Sequence, residues 1–206
     1  MSGPHEASAS LRQRRPSIGA VAAESITNAA KSVEAKVSTA LTVLWDELPH
    51  WRQDNHFILS GYRRTSNSYF QSFLSLGYLH NESVNIWSHL LGAMGFTAGG
   101  AFLYRVIAPR YETASASDML AFACFFAGAF LCLGMSGTYH MLMNHSAAVC
   151  KWGNKLDYTG IVFLIVGSYV PAMYYGLYCH PALMRVYMPA VSFQSLLDER
   201  ASPYFG

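Results

Sequence analysis

Three stretches of this chain carry no charged side chain: Ser83 to Tyr104 (22 residues), Met119 to Cys150 (32 residues) and Tyr158 to Met184 (27 residues). A helix needs about 20 predominantly apolar residues to cross a hydrocarbon core. In that medium the backbone must satisfy its own hydrogen bonds, which restricts isolated runs of this kind to helices. The charge is displaced elsewhere, with fifteen of the 26 charged residues in the first 82 positions. The pattern predicts an all-α, polytopic membrane helix bundle. Its spans are expected at about 85–106, 118–141 and 156–179, after a polar N-terminal extension.

The same distribution excludes other classes. A net charge of +2, with no basic patch interleaved with aromatics, argues against nucleic acid as a partner. The four cysteines, Cys124, Cys132, Cys150 and Cys179, lie in or beside the apolar runs without CxxC spacing, so buried free thiols are expected. No secretory signal opens the chain, which leaves the first span as the internal insertion signal.

Residues 1–25 are expected to be a disordered, Ser-rich and basic tail. From Ile26 the apolar positions Ala29, Val33, Val37, Leu41, Leu44 and Leu48 follow at spacings of three and four. That spacing predicts an amphipathic helix ended by Pro49, lying on the membrane surface or packed on the bundle. Residues 26–82 therefore form a pre-membrane segment, residues 83–182 the three spans, and residues 183–206 a tail holding a partial fourth helix. Trp87, Tyr104, Trp152 and Tyr178 at span ends suit an aromatic belt, and Pro171 should kink the third span.

Ten of the 14 Lys and Arg residues fall on the side shared by the N-terminus and the link between spans two and three, which predicts a cytosolic N-terminus. The sequons Asn81-Glu82-Ser83 and Asn144-His145-Ser146 then face the cytosol and stay unglycosylated.

Polar groups near a bilayer are costly, so those at the helix ends carry the most information. Glu82, Asn85 and His89 stack on one helix face, either as a cluster anchoring a site or lipid headgroup or as a capping and packing cluster. Ser136 and His140 lie four apart near the end of span two, and Asp157 is expected at the start of span three, level with His140. A neutral imidazole can ligate Zn²⁺ while a nearby carboxylate holds and deprotonates a bound water. A buried His–Asp hydrogen bond without metal explains the same spacing. His145 is expected to be solvated in the loop. His180, beside Pro181 at the opposite face, cannot reach this site.

The run His80-Asn81-Glu82-Ser83-Val84-Asn85-Ile86-Trp87-Ser88-His89 resembles the signature opening the first span of the PAQR family, which includes adiponectin receptors, membrane progestin receptors and hemolysin III-related proteins. Leu48-Pro49-His50-Trp51 and Asn55-His56-Phe57-Ile58-Leu59-Ser60-Gly61-Tyr62-Arg63 are similar to the preceding segment of its adiponectin-receptor branch. Ser136-Gly137-Thr138-Tyr139-His140 and Lys155-Leu156-Asp157-Tyr158-Thr159-Gly160-Ile161 resemble its second motif. The resemblance implies a seven-helix fold of which this chain holds about the first three helices. It also implies a cytosolic-side zinc site with His140 as one ligand, Asp157 reaching the metal through water and Ser136 beside it.

The family's two further histidines come from a His-x-x-x-His motif, and no such motif occurs in this chain. The zinc site is thus expected to be incomplete here, and the chain is expected to be a truncated product or fragment. What the resemblance implies for the full-length form is a signalling receptor with a zinc-dependent, ceramidase-like lipid amide hydrolase site. Two alternatives stay open: a receptor or metal and lipid homeostasis regulator with structural zinc, and an inactive chain that associates with full-length copies. The bilayer is the expected environment, at the plasma membrane or endoplasmic reticulum, with a ceramide-like lipid or an unknown signalling ligand as partner.

Overall fold

A computed structural model describes residues 18–190. Two units are distinguished, Met1–Ala40 and Leu41–Gly206. The first contributes α1 (Ile18–Leu41), an alanine-rich helix free of proline. It begins eight residues before the first apolar position of the expected amphipathic pattern and stops well before Pro49. The periodicity of Leu44 and Leu48 continues past Leu41, but the β-branched pair Thr42–Val43 forms strand β1 instead. Strand β1 pairs antiparallel with β2 (Tyr62–Arg63), and tertiary pairing overrides the helical spacing. Residues 1–17 of the expected tail, and 191–206, lie outside the described residues.

The loop between the strands is held by its backbone. The Trp45 amide donates to the Leu59 carbonyl (3.1 Å), and the Tyr62 hydroxyl lies 3.0 Å from the Ile58 carbonyl. Gly61 takes φ +83°, a conformation glycine adopts without strain, and its carbonyl accepts from the Asn81 amide. A short helix, α2 (Tyr69–Leu74), follows, capped by Ser68.

Among the described residues, three helices are long and apolar enough to cross a membrane. The first, α3 (Ser83–Phe102), runs on through a π-turn at Leu103–Ile107 and a 3-10 turn at Ala108–Arg110. Pro109 accounts for the irregular end, because its ring clashes with the carbonyl four residues earlier and it lacks an amide hydrogen. Helix α4 (Ala116–Leu142) starts at a capping box: Ser115 accepts from the Asp118 amide and Asp118 accepts from the Ser115 amide. Helix α5 (Ala147–Gly176) starts at the cap Ser146, with Pro171 inside it.

Helix α5 starts nine residues before the expected third span. Lys151 and Lys155 suggest a loop by their charge, yet Ser146 caps a helix that carries both. Residues 181–190 are helical as well. All four cysteines are free, as expected, but Cys179 is exposed and the others half-buried, because the helices pack through smaller residues.

Helix α4 is central and packs on both α3 and α5. Glycine lets the backbones meet: a Cβ on Gly128 would lie 2.6 Å from the Phe163 carbonyl oxygen, and one on Gly167 2.5 Å from that of Cys124. Small residues at a close helix crossing are the usual device where lipid removes the hydrophobic drive to associate. Gly153 meets Tyr139 and Gly160 meets Cys132, which sets the antiparallel register of α4 against α5.

Candidate functional site

The polar groups that the helices could not leave in an apolar medium gather at one end of the bundle, around the start of α3 and the end of α4. His140 Nδ1 lies 2.8 Å from Glu82 Oε2, joining residues 58 positions apart. Glu82 is nearly enclosed and accepts from Asn85 Nδ2 at 2.8 Å and Asn81 Nδ2 at 2.6 Å. Burial alone would push its carboxyl up, but hydrogen bonds from His140 and Asn85 and the charge of Arg63 outweigh it and hold it below the usual range. The His89 ring stands edge-on to His140, centroids 6.1 Å apart, and its buried Nδ1 has no partner among the described residues.

A second layer comes from the pre-membrane segment. Arg63 is fully buried and donates to the carbonyl oxygens of His140 (2.5 Å) and Met141 (2.8 Å) and to Ser75 Oγ (2.9 Å). These carbonyls belong to the last turn of α4, where no helical amide reaches them and a cation is favoured. Burial pushes the guanidinium down to about 10, opposed by Glu82, so it remains charged at neutral pH. Arg52 in turn donates to the Arg63 carbonyl. The Asn144 side chain donates to the Arg64 carbonyl (3.1 Å), and the Ser66 and Asn67 amides donate to Asn144 and His145 carbonyls.

Of the residues singled out by sequence, Glu82, Asn85, His89 and His140 are brought together. Ser136 is buried one turn along α4 from His140. Asp157 falls between the Gly153–Tyr139 and Gly160–Cys132 contacts, near the level of Ser136 and about 7.5 Å along the axis from His140 at 1.5 Å per residue. The carboxylate facing His140 is that of Glu82. His145 is half-buried against the Tyr69 ring at 4.2 Å rather than solvated, because α2 folds over the turn after α4. Arg63, Arg52 and Asn81 escaped the sequence reading as site residues; the available signal was a pair of arginines in an otherwise apolar, aromatic-rich run.

A metal site can be tested against these groups. With Nδ1–H donated to Glu82, the Nε2 lone pair of His140 is available, which is the carboxylate–histidine arrangement that prepares imidazole ligands. His140 thus fits as a metal ligand. Among the described residues, however, no three His, Cys, Asp or Glu side chains converge closely enough to hold an ion together.

Residues 77–197 match the family described as haemolysin-III related. The chain is 41% identical over 185 residues to the ADIPOR-like receptor IZH2 of Saccharomyces cerevisiae, covering 86% of this chain and 58% of that protein. It is 39% identical over 176 residues to the adiponectin receptor protein of Drosophila melanogaster (83% of this chain, 39% of that one). It is 34% identical over 151 residues to progestin and adipoQ receptor family member 3 of Homo sapiens (71% and 47%). The chain spans about half the length of the curated relatives it matches.

Proposed function

This chain belongs to the haemolysin-III-related family, adiponectin-receptor-like branch, and from that premise we propose that it is a multi-pass receptor-type membrane protein contributing one ligand of a zinc site. The observation that carries the proposal is the 2.8 Å contact between His140 Nδ1 and Glu82, which favours the proton on Nδ1 and so leaves a lone pair on Nε2. Asn81 and Asn85 fix the Glu82 carboxylate, and Arg63 clamps the backbone on which His140 sits. The remaining zinc ligands come from outside the described residues. Zinc bound there supplies Lewis acidity toward a water or an amide carbonyl.

In the full-length form the site acts as a ceramidase-like lipid amide hydrolase. Asp157, deeper along the bundle, holds a water and accepts its proton; Ser136 lies near its level. The N-terminus is cytosolic and the membrane is that of the cell surface or endoplasmic reticulum. Ceramide turnover by the purified full-length form, with and without chelator, tests this reading. His140→Ala and Asp157→Ala should each lower turnover by at least about 100-fold, and unchanged turnover in both variants would refute the assigned roles.

A second reading has its own support. Glu82 receives three hydrogen bonds and ties α3 to α4, so a metal at His140 can serve stability and signalling without hydrolysis. Loss of signalling on metal removal, with no amide hydrolysis at any metal loading, distinguishes it.

A further inference from the structure

We propose that the opposite end of the bundle binds the choline headgroup of a membrane phospholipid. A cleft of about 590 Å³ opens there between the end of α3, the start of α4 and the end of α5, a size suited to a headgroup with the first part of its chains. Among the described residues, Asp118 is the one charged side chain lining it. Its carboxylate is held by neutral donors only: Oδ2 accepts from the Ser115 amide (2.8 Å) and hydroxyl (2.6 Å), and Oδ1 from the Tyr175 hydroxyl (2.9 Å). No cationic side chain pairs with it among the described residues. A carboxylate fixed by hydrogen bonds, with no cationic side chain beside it among the described residues, therefore faces the cleft.

The walls around that charge are aromatic. Tyr111, Phe122, Tyr175 and Tyr178 line the cleft, and the Phe122 and Tyr175 rings lie 5.8 Å apart at a tilt of 46°. Aromatic faces beside a carboxylate attract cations, and quaternary ammonium groups are the ligands best matched to such cages. A primary ammonium would bring three N–H donors to a site whose carboxylate oxygens are already engaged. A trimethylammonium group brings none and buries its methyls against the rings.

Position selects a lipid as the source. Asp118 lies in the first turn of α4 and Tyr178 just beyond α5, both at the ends of membrane-crossing helices, where headgroups lie. Leu103, Ile107 and Met119 continue the cleft as an apolar wall toward the spans, fit for an acyl chain. The inference is independent of the metal reading, since it concerns the other end of the bundle.

The test is native mass spectrometry of the full chain released from nanodiscs containing equal phosphatidylcholine, phosphatidylethanolamine and phosphatidylglycerol of the same acyl chains. The wild type should retain phosphatidylcholine at least about tenfold over the other two, a difference of about 1.4 kcal/mol. Asp118→Asn and Phe122→Leu should abolish the preference. Gly134→Ala, outside the cleft and with nothing within 4 Å of the added Cβ, should preserve it, and matching helical circular dichroism among the variants separates lost binding from lost fold. Tetramethylammonium without acyl chains should displace the lipid only at high concentration; displacement at lipid-like affinity would overturn the lipid assignment. No headgroup preference in the wild type, or full preference in Asp118→Asn, would overturn the site itself.

Discussion

Glu82 shows how a single buried carboxylate can organise a membrane protein's end. Its partners Asn81 and Asn85 are neighbours in sequence, and helical spacing alone placed Asn85 on its face. Its third partner, His140, is 58 residues away, and Arg63 reaches the His140 carbonyl across 77. No local pattern encodes such distances, so half of the cluster was legible and its meeting point was not. His80 carries a prediction at this scale. Its Nδ1 accepts from the Glu82 amide (3.1 Å), a bond that only the neutral ring can make, and burial followed by the Arg63 charge pushes its pKa down to about 4. The folded state then binds fewer protons than the unfolded state between about pH 4 and the ordinary value near 6.5. Stability should therefore fall as pH drops through that window. Thermal midpoints in detergent at pH 7 and pH 5 should differ for the wild type, and His80→Asn, which keeps an acceptor but cannot titrate, should reduce the difference. An unchanged slope in that variant would remove His80 from the account.

At the scale of elements, the three apolar runs located the helices because hydrocarbon tolerates little else, and the errors fall at the ends. Lys151 and Lys155 read as loop because of their charge, although Ser146 gave a cap signal of the kind found at Ser115. Helix α1 ends early because Thr42 and Val43 have a partner strand that periodicity cannot reveal. The packing of α4 on α5 makes the clearest element-scale prediction. Gly128→Ala and Gly167→Ala each force a methyl into backbone of the facing helix and should destabilise the pair by about 1–3 kcal/mol. Gly95→Ala and Gly134→Ala, where nothing lies within 4 Å of the added Cβ, should be neutral or stabilise by up to about 1 kcal/mol. Steric-trap or detergent unfolding of the four variants decides it, and equal effects at both pairs would mean that α4 and α5 do not cross at these glycines.

For the described residues as a whole, polar groups divide between two ends of an apolar bundle, with His80, His89, His140 and the buried arginines at one and Asp118 with its tyrosines at the other. The first end is tied to the pre-membrane segment through Arg63 and Asn144, so the amide of the second sequon is already engaged with the Arg64 carbonyl. We propose that a chain spanning about half the length of its relatives prepares a ligand without completing a centre, Glu82 orienting His140 for zinc. Zinc affinity of the full-length form in nanodiscs, measured by competition with a chromophoric chelator, tests it most directly. Glu82→Gln should weaken binding by about 10- to 100-fold and His140→Ala should abolish it. Wild-type affinity in His140→Ala would contradict the account.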